Sequence, residues 1–253
     1  MKFSIIVPSF NQEHFIDDTL RNLVEIKQKA KEKGIDVEIL VFDSESNNNV
    51  QTSINNFKAE LDHIEIKKDL GQYDAINKGI LKCTGDYWTW LNTDDLMNVE
   101  GFLKLADILK KDTSIDYIYG GVNYINEKGE VTKHYASYPL DIKTLYSHTP
   151  AIFQPGSFFK RSFTNKIGLL MPYQCCFDYE YILRCFKNNA VVYCCSFVVS
   201  NFRFYKTSKS GSIIPIFIKE QLTISKNYGR KWFHFLTPFS YLRLLKHALF
   251  PRK

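Results

Sequence analysis

The sequence predicts a doubly wound α/β fold, with a mostly parallel central sheet flanked by helices and a basic helical tail at the C-terminal end. Two observations carry the prediction. Short, nearly continuous apolar runs with β-branched residues alternate with amphipathic stretches of helical period, as strands buried on both faces require. Polar clusters follow the ends of three of those runs, where sheets of this kind place their ligands. A chain of 253 residues with 45% apolar and 24% charged residues can bury such a core, which excludes a disordered or fibrous chain.

Phe3 to Val7 is the first buried strand. Phe15, Ile16, Leu20, Leu23 and Val24 then recur at helical spacing, with Asn11 available as a cap and Gly34 as a stop. Val37 to Phe42 is a second strand, followed by the polar loop DSESNNN and a helical stretch from Val50 to Leu61. Ile64 to Ile66 gives a short third strand, Gly71 opens a helix through Lys82, and Tyr87 to Leu91 gives the fourth strand. After Gly120 and Gly121, VNYINEKGEVTKHY reads as a hairpin turning at EKG, and a helix begins near Asp178.

The polar clusters are Pro8, Ser9, Phe10 and Asn11 after the first strand, Asp43 to Asn47 after the second, and Asn92 to Asp95 after the fourth. Each alone reads as a helix cap or a solvated turn, but together at one sheet edge they read as a site. The chain has no G-x-G-x-x-G after the first strand and no G-x-x-x-x-G-K-S/T, so phosphate must be held by a metal or by side chains. Mg²⁺ and Mn²⁺ take oxygen ligands, typically one or two carboxylates plus substrate phosphate. Asp94 and Asp95 meet that need, because two adjacent side chains can share one site where the chain leaves a strand. One of them could instead cap the helix that continues through NVEGFLKLADILKK.

SIIVPSFNQEHFIDDTL, VEILVFDSES, DLGQYDAINKGILKCTGDYWTWLNTDDL and FDYEYILR, in that order and spacing, resemble the family 2 glycosyltransferases of bacterial polysaccharide and lipopolysaccharide type. The match spans roughly the first 210 residues, and GQYDAINKG and WLNTDD are its most specific blocks. The resemblance implies the GT-A nucleotide-sugar-binding fold and transfer with inversion at the anomeric carbon. It implies that NTDD stands for a D-x-D-type motif, with a divalent metal, Mn²⁺ or Mg²⁺, mainly on Asp95 and with Asp94 on the donor or assisting the metal. Asn92 departs from the family's first acidic position. By the same likeness Pro8, Ser9, Phe10 and Asn11 line the donor pocket, with Gly71, Asp74 and Asn77 among its residues. Asp43 matches the first Asp of a D-D-G-S pattern whose second Asp is Ser44 here, which leaves the base contact open even though a UDP-sugar is the favoured donor.

Breaking a sugar–diphosphate bond loads charge on the leaving phosphates, and the incoming hydroxyl must lose its proton to a base on the other side of the sugar. The resemblance assigns that base to Asp178, whereas the residues alone favour reading Asp178 as a helix N-cap, where the helix N-terminus would make it a weaker base. Glu180 is the fallback, with Arg184 one turn on to pair with it. In NFRFYKTSKSGS the resemblance implies a loop over the diphosphate, with Arg203 and Lys206 as phosphate-facing charges and Tyr205 where a His is frequent.

The six cysteines lack C-x-x-C spacing and read as reduced thiols, and the six histidines show no H-E-x-x-H pairing. The apolar run at the N-terminus is too short for a signal-peptide core, and no stretch approaches the roughly 20 residues of a spanning helix. The expectation is a cytoplasmic chain, at the inner face of the cell membrane if its tail contacts the bilayer. The net charge of +6 attracts anions without selecting one. Expected partners are the nucleotide-sugar donor and a glycan or lipid-linked acceptor, with no nucleic acid. From Phe239 the tail is amphipathic, with Trp232 and Phe235 beside it, and reads either as a helix in the membrane interface or as one packed on the domain. The expected organisation is a glycosyltransferase domain over 1–212, with a donor half at 1–121 and an acceptor half at 122–212, then a helical extension over 213–253. The competing readings are a nucleotidyltransferase, which usually needs a Gly-rich, Arg-containing loop absent from PSFNQEHF, and a non-enzymatic binder of membrane or nucleic acid.

Overall fold

The structure is a computed structural model that describes residues 1–147, 154–205 and 214–231. Strand β1 (Lys2–Ser9) is followed by α1 (Ile16–Glu32), β2 (Asp36–Asp43), α2 (Asn48–Asn56), β3 (His63–Ile66), α3 (Gln72–Lys82) and β4 (Tyr87–Trp90). The predicted alternation of strand and helix is therefore present across the first half. Next come β5 (Leu96–Met97), α4 (Val99–Lys111), the hairpin β6 (Tyr117–Ile125) and β7 (Val131–Tyr135), α5 (Ile142–Ser147), β8 (Ser157–Lys160), α6 (Arg161–Ile167), α7 (Phe177–Lys187), β9 (Val192–Arg203) and α8 (Ile214–Asn227).

One sheet orders its strands β3-β2-β1-β4-β8-β6-β9-β5, with β7 paired to β6. The first half is parallel: β1 pairs β2 and β4, and β2 pairs β3. The second half is mixed, since β8 runs antiparallel to β4 and β6 while β9 runs parallel to β6. Side chains alternate between two apolar cores, as the strand period requires. Phe3, Ile5 and Val7 face the core shared with α1, α2 and α4, and Ile6 faces the one built with α3, α7 and α8. The parallel strands β1, β2 and β4 end together at one edge, and that edge carries the polar clusters.

Two expected caps differ. Asn11 does not cap α1: its backbone is left-handed (φ 51°), and its Oδ1 accepts from Asn47 N–H at 3.0 Å, tying the β1 loop to the β2 loop. Neither Asp94 nor Asp95 caps α4, because Asn98 does so by accepting from Gly101 N–H at 2.8 Å. Helix α8 packs into the same core as α3 and α7, with Ile218, Leu222 and Ile224 buried. The amphipathic stretch from Phe239, together with Trp232 and Phe235, lies outside the described residues. Among the described residues no helix is long and apolar enough to cross a membrane.

Candidate active site

The site is built where the chain leaves β1, β2 and β4. Register puts Ser9 beside Asp43. Ser9 is 3% exposed and its hydroxyl has no hydrogen-bond partner among the described residues, so a buried polar atom at the sheet edge awaits one. Pro8 is buried before it, while Phe10 stands 61% exposed, an aromatic face open to a ligand. Asp43 is spent locally: its Oδ2 accepts from Ser46 N–H at 2.8 Å and its Oδ1 from the Ser46 hydroxyl at 2.5 Å. The same Ser46 oxygen accepts from Asn11 N–H at 2.8 Å. The two loops are thus one hydrogen-bonded unit, with Asp43 inside it.

Along α3 the three expected donor residues separate. Gly71 caps the helix at φ 126°, where a side chain would be strained, and its N–H donates to Asp69 Oδ1 at 2.9 Å. Asp74 accepts from Leu70 N–H at 3.2 Å and pairs with Lys78 at 3.3 Å, fastening the same turn. Asn77 is turned away, with its amide exchanging hydrogen bonds of 2.9 Å with both the carbonyl and the N–H of Leu170. That pairing uses the polar ends of its side chain and ties α3 to the loop before α7.

Asp94 and Asp95 point into different surroundings. Asp95 is fully buried: its Oδ1 accepts from Arg203 N–H at 2.9 Å and its Oδ2 from Asn92 Nδ2 at 3.1 Å. Asn92 Oδ1 in turn accepts from Gln72 Nε2 at 2.6 Å, and the Asp95 carbonyl accepts from the Thr19 hydroxyl at 2.9 Å. Asp95 therefore joins α1, α3, β4 and β9. Burial, with Asp94 alongside, pushes its pKa well above the usual carboxylate range. Asp94 keeps partial exposure, and its Oδ2 accepts from the Tyr205 hydroxyl at 3.1 Å. Burial and the Asp94 charge raise that phenol to about 12, so it stays a neutral donor.

These environments test the expected metal ligands. Asp94 fits, as one partly open carboxylate of the kind that completes its shell with substrate phosphates and water. Asp95 does not fit, because both its oxygens are bonded within the protein and none of its surface is exposed. Among the described residues no group of three or more His, Cys, Asp or Glu side chains could hold a metal unaided.

Arg203 differs from a phosphate-facing cation. It is 1% exposed; Nε donates to the Asp94 carbonyl at 2.8 Å and Nη1 to the carbonyls of Asn126 and Glu127 at 3.2 and 2.7 Å. Its guanidinium lies 4.4 Å from the Phe15 ring centre and 3.6 Å from Asp18. The fork is filled by backbone oxygens, so Arg203 fixes the Asp94 turn from behind. Lys206 lies outside the described residues.

Asp178 sits in the first turn of α7. It is not the cap residue, which is Cys176, and its Oδ1 accepts from its neighbour Tyr179 N–H at 2.7 Å. The residue is half-buried; desolvation pushes its carboxyl up to about 6, against the lowering effect of nearby backbone N–H groups and with a further push from Glu220. The preceding residue, Phe177, packs on Trp90 with ring centres 6.0 Å apart, which brings the start of α7 to the end of β4. Glu180 faces the opposite way, fully buried and paired with Arg184 at 2.7 Å.

Gln72, Thr19 and Glu220 are not among the residues the sequence singled out for the site, and Phe15 is read there only as part of the helical period. Gln72 lies inside the most specific block, GQYDAINKG, and Glu220 is the last acidic residue of the chain, signals that could have marked both.

The glycosyl transferase family 2 model matches residues 4–177. A PGL/p-HBAD biosynthesis glycosyltransferase of Mycobacterium bovis is 26% identical over 195 residues, covering 75% of this chain and 72% of its own. A poly(ribitol-phosphate) beta-glucosyltransferase of Bacillus spizizenii is 24% identical over 176 residues, 68% of this chain and 27% of its own. Among solved structures, S. aureus TarS 1-349 in complex with UDP-GlcNAc superposes with a TM-score of 0.67 at 14% identity, covering all of this chain and 76% of that one. The mannosyltransferase PcManGT of Pyrobaculum calidifontis, in complex with GDP-Man and Mn²⁺, gives 0.68 at 15% identity, over 97% and 69%. These likenesses show the GT-A glycosyltransferase fold. With the family model spanning well over half of the sequence, the chain belongs to glycosyltransferase family 2.

Proposed function

We propose that this glycosyltransferase moves a sugar from a nucleoside diphosphate, with a UDP-sugar favoured, to a hydroxyl of a glycan or lipid-linked acceptor, inverting the anomeric centre. The observation that carries the reading is a division of labour between carboxylates. Asp94 is partly exposed just beyond β4, and Asp178, its carboxyl pushed up to about 6 by burial, starts a helix packed against that same strand. The Phe10 face and the unpartnered Ser9 hydroxyl support a donor base and ribose at the β1 edge. Asp94 would hold a divalent ion, Mn²⁺ or Mg²⁺, which when bound supplies positive charge to the leaving diphosphate. Arg203, Asn92 and Asp95 keep the Asp94 turn in place, so no side chain must reorganise as charge develops. Asp178, ionised above about pH 6, accepts the acceptor hydroxyl proton as the new glycosidic bond forms.

The PcManGT complex with Mn²⁺ and the TarS complex with UDP-GlcNAc support the metal and the donor class. A basic tail that meets the cytoplasmic face of the membrane would suit a lipid-linked acceptor. The test is metal-dependent transfer and donor hydrolysis across a panel of UDP- and GDP-sugars. Asp94→Ala and Asp178→Asn should each remove turnover; if both leave it unchanged, the reading fails.

A further inference from the structure

Glu220 lies in α8, beyond the last residue matched by the family model, yet its carboxylate accepts hydrogen bonds from the segment that enters α7. Its Oε1 accepts from Gln174 N–H at 2.8 Å, and its Oε2 accepts from Cys175 and Cys176 N–H at 2.9 and 3.0 Å. Three consecutive backbone donors converge on one carboxylate, and they stop two residues short of Asp178. The Cys176 thiol adds a bond to the Phe217 carbonyl at 3.4 Å, one turn back along α8. A second clamp lies just past the end of α8, where the Tyr228 hydroxyl donates to Glu180 of α7 and the Tyr228 carbonyl accepts from the Tyr146 hydroxyl of α5 at 2.5 Å. Helix α8 and Tyr228 beyond it thus grip α7 at its entry and again two residues past Asp178. The apolar side chains Ile218, Leu222 and Ile224 bury the face between the two grips.

We propose that Glu220 is a positioning residue for Asp178: its carboxylate gathers the three N–H groups leading into α7 and so fixes where the first turn of that helix presents its acid. The inference rests on Asp178 being the base. Charge-assisted bonds from a carboxylate to backbone N–H are among the stronger hydrogen bonds, and a network of three leaves the entry little freedom. Displacement of a catalytic group by about 1 Å can cost roughly 100-fold in rate, so a clamp of this kind has a kinetic signature. Glu220 also faces Asp178 as a like charge from α8, while the buried Cys176 thiol, itself raised, stays neutral, and Glu180 on the same helix is turned to Arg184 and Tyr228. Removing the Glu220 charge should therefore make Asp178 easier to ionise.

The experiment compares Glu220→Gln and Glu220→Ala with the parent and with Asp178→Asn. Carboxyl carbon NMR titration of the free protein follows Asp178, and steady-state turnover uses whichever UDP- or GDP-sugar the parent consumes. Glu220→Gln keeps an acceptor oxygen and loses the charge: it should move the Asp178 midpoint and the acid limb of kcat/KM to lower pH and keep most of kcat. Glu220→Ala removes the clamp and should lower kcat roughly tenfold or more with donor KM nearly unchanged. The inference is overturned if Asp178→Asn abolishes turnover while Glu220→Gln leaves the midpoint in place and Glu220→Ala leaves kcat in place with only the melting temperature lowered. If Asp178→Asn retains turnover, the base assignment fails and this inference falls with it. Should Glu220→Ala not fold, the Gln variant decides alone.

Discussion

Asp94 and Asp95 share a backbone turn and little else. One is partly open beside a phenol, and the other is sealed between Arg203 N–H and the Asn92 amide. Replacing Asp94 by Asn should leave the melting temperature close to that of the parent and remove metal-dependent turnover. Replacing Asp95 by Ala strands two buried donors and should cost about 2–4 kcal/mol of stability, read as a lower denaturation midpoint, before any effect on chemistry is measured. For Asp178 the sign follows from its role as a base: the active form is the ionised one. Turnover should rise as pH climbs through about 6 and level off above it, and Asp178→Asn should flatten that limb with a loss of roughly 10²–10⁴-fold in kcat. The sequence made the acidic pair conspicuous and put the metal mainly on Asp95, but residue identity could not show that Asp95 is buried and Asp94 partly exposed, because neighbours on a turn can face opposite ways. Nor could it show that Arg203 spends its fork on carbonyls of Asp94, Asn126 and Glu127, since those acceptors belong to the backbone and leave no trace in residue identity.

At the scale of elements, legibility followed length and periodicity. Helices α1, α3 and α4 and strands β1, β2 and β4 each bury a regular set of apolar residues, so their spacing announces them. Strand β5 is two residues long, and β9 slips register against β6 near Gly121, so neither offers a period to read. Asn11 has the residue type of a cap, yet its left-handed backbone serves the loop instead. Gly101 illustrates packing that periodicity hides. It lies in the first turn of α4 against β9, and a Cβ there would sit 1.9 Å from the Val198 carbonyl oxygen. That contact is with backbone and cannot be relieved by a rotamer, so Gly101→Ala should cost about 2 kcal/mol or more despite the helix propensity gained. A parallel Gly129→Ala, in a hairpin turn with open space around it but φ 81°, should show a strain cost without the clash, and denaturant midpoints separate the two.

For the molecule as a whole, the sheet has two polar ends with different duties. The edge where β1, β2 and β4 finish holds the chemistry, and the edge where they begin holds a buried acid. Glu38 is 6% exposed and accepts from the Ser4 hydroxyl at 2.6 Å, from Thr84 N–H at 2.6 Å and its hydroxyl at 2.7 Å, while Lys2 Nζ lies 2.6 Å away. Burial alone would raise this carboxyl, but those donors outweigh it and hold it at about 2. A carboxylate whose folded pKa lies below its unfolded one stabilises the fold fully above the unfolded value, here 4.5, and loses that contribution as pH falls toward about 2. The depression corresponds to roughly 3 kcal/mol at neutral pH. The protein should therefore lose stability progressively between about pH 5 and pH 2, and Glu38→Gln should be less stable than the parent at pH 7 while showing a shallower decline below pH 5. Urea midpoints taken across that range test it: parallel curves for parent and variant would mean that β1, β2 and the turn at Thr84 are held together by packing alone.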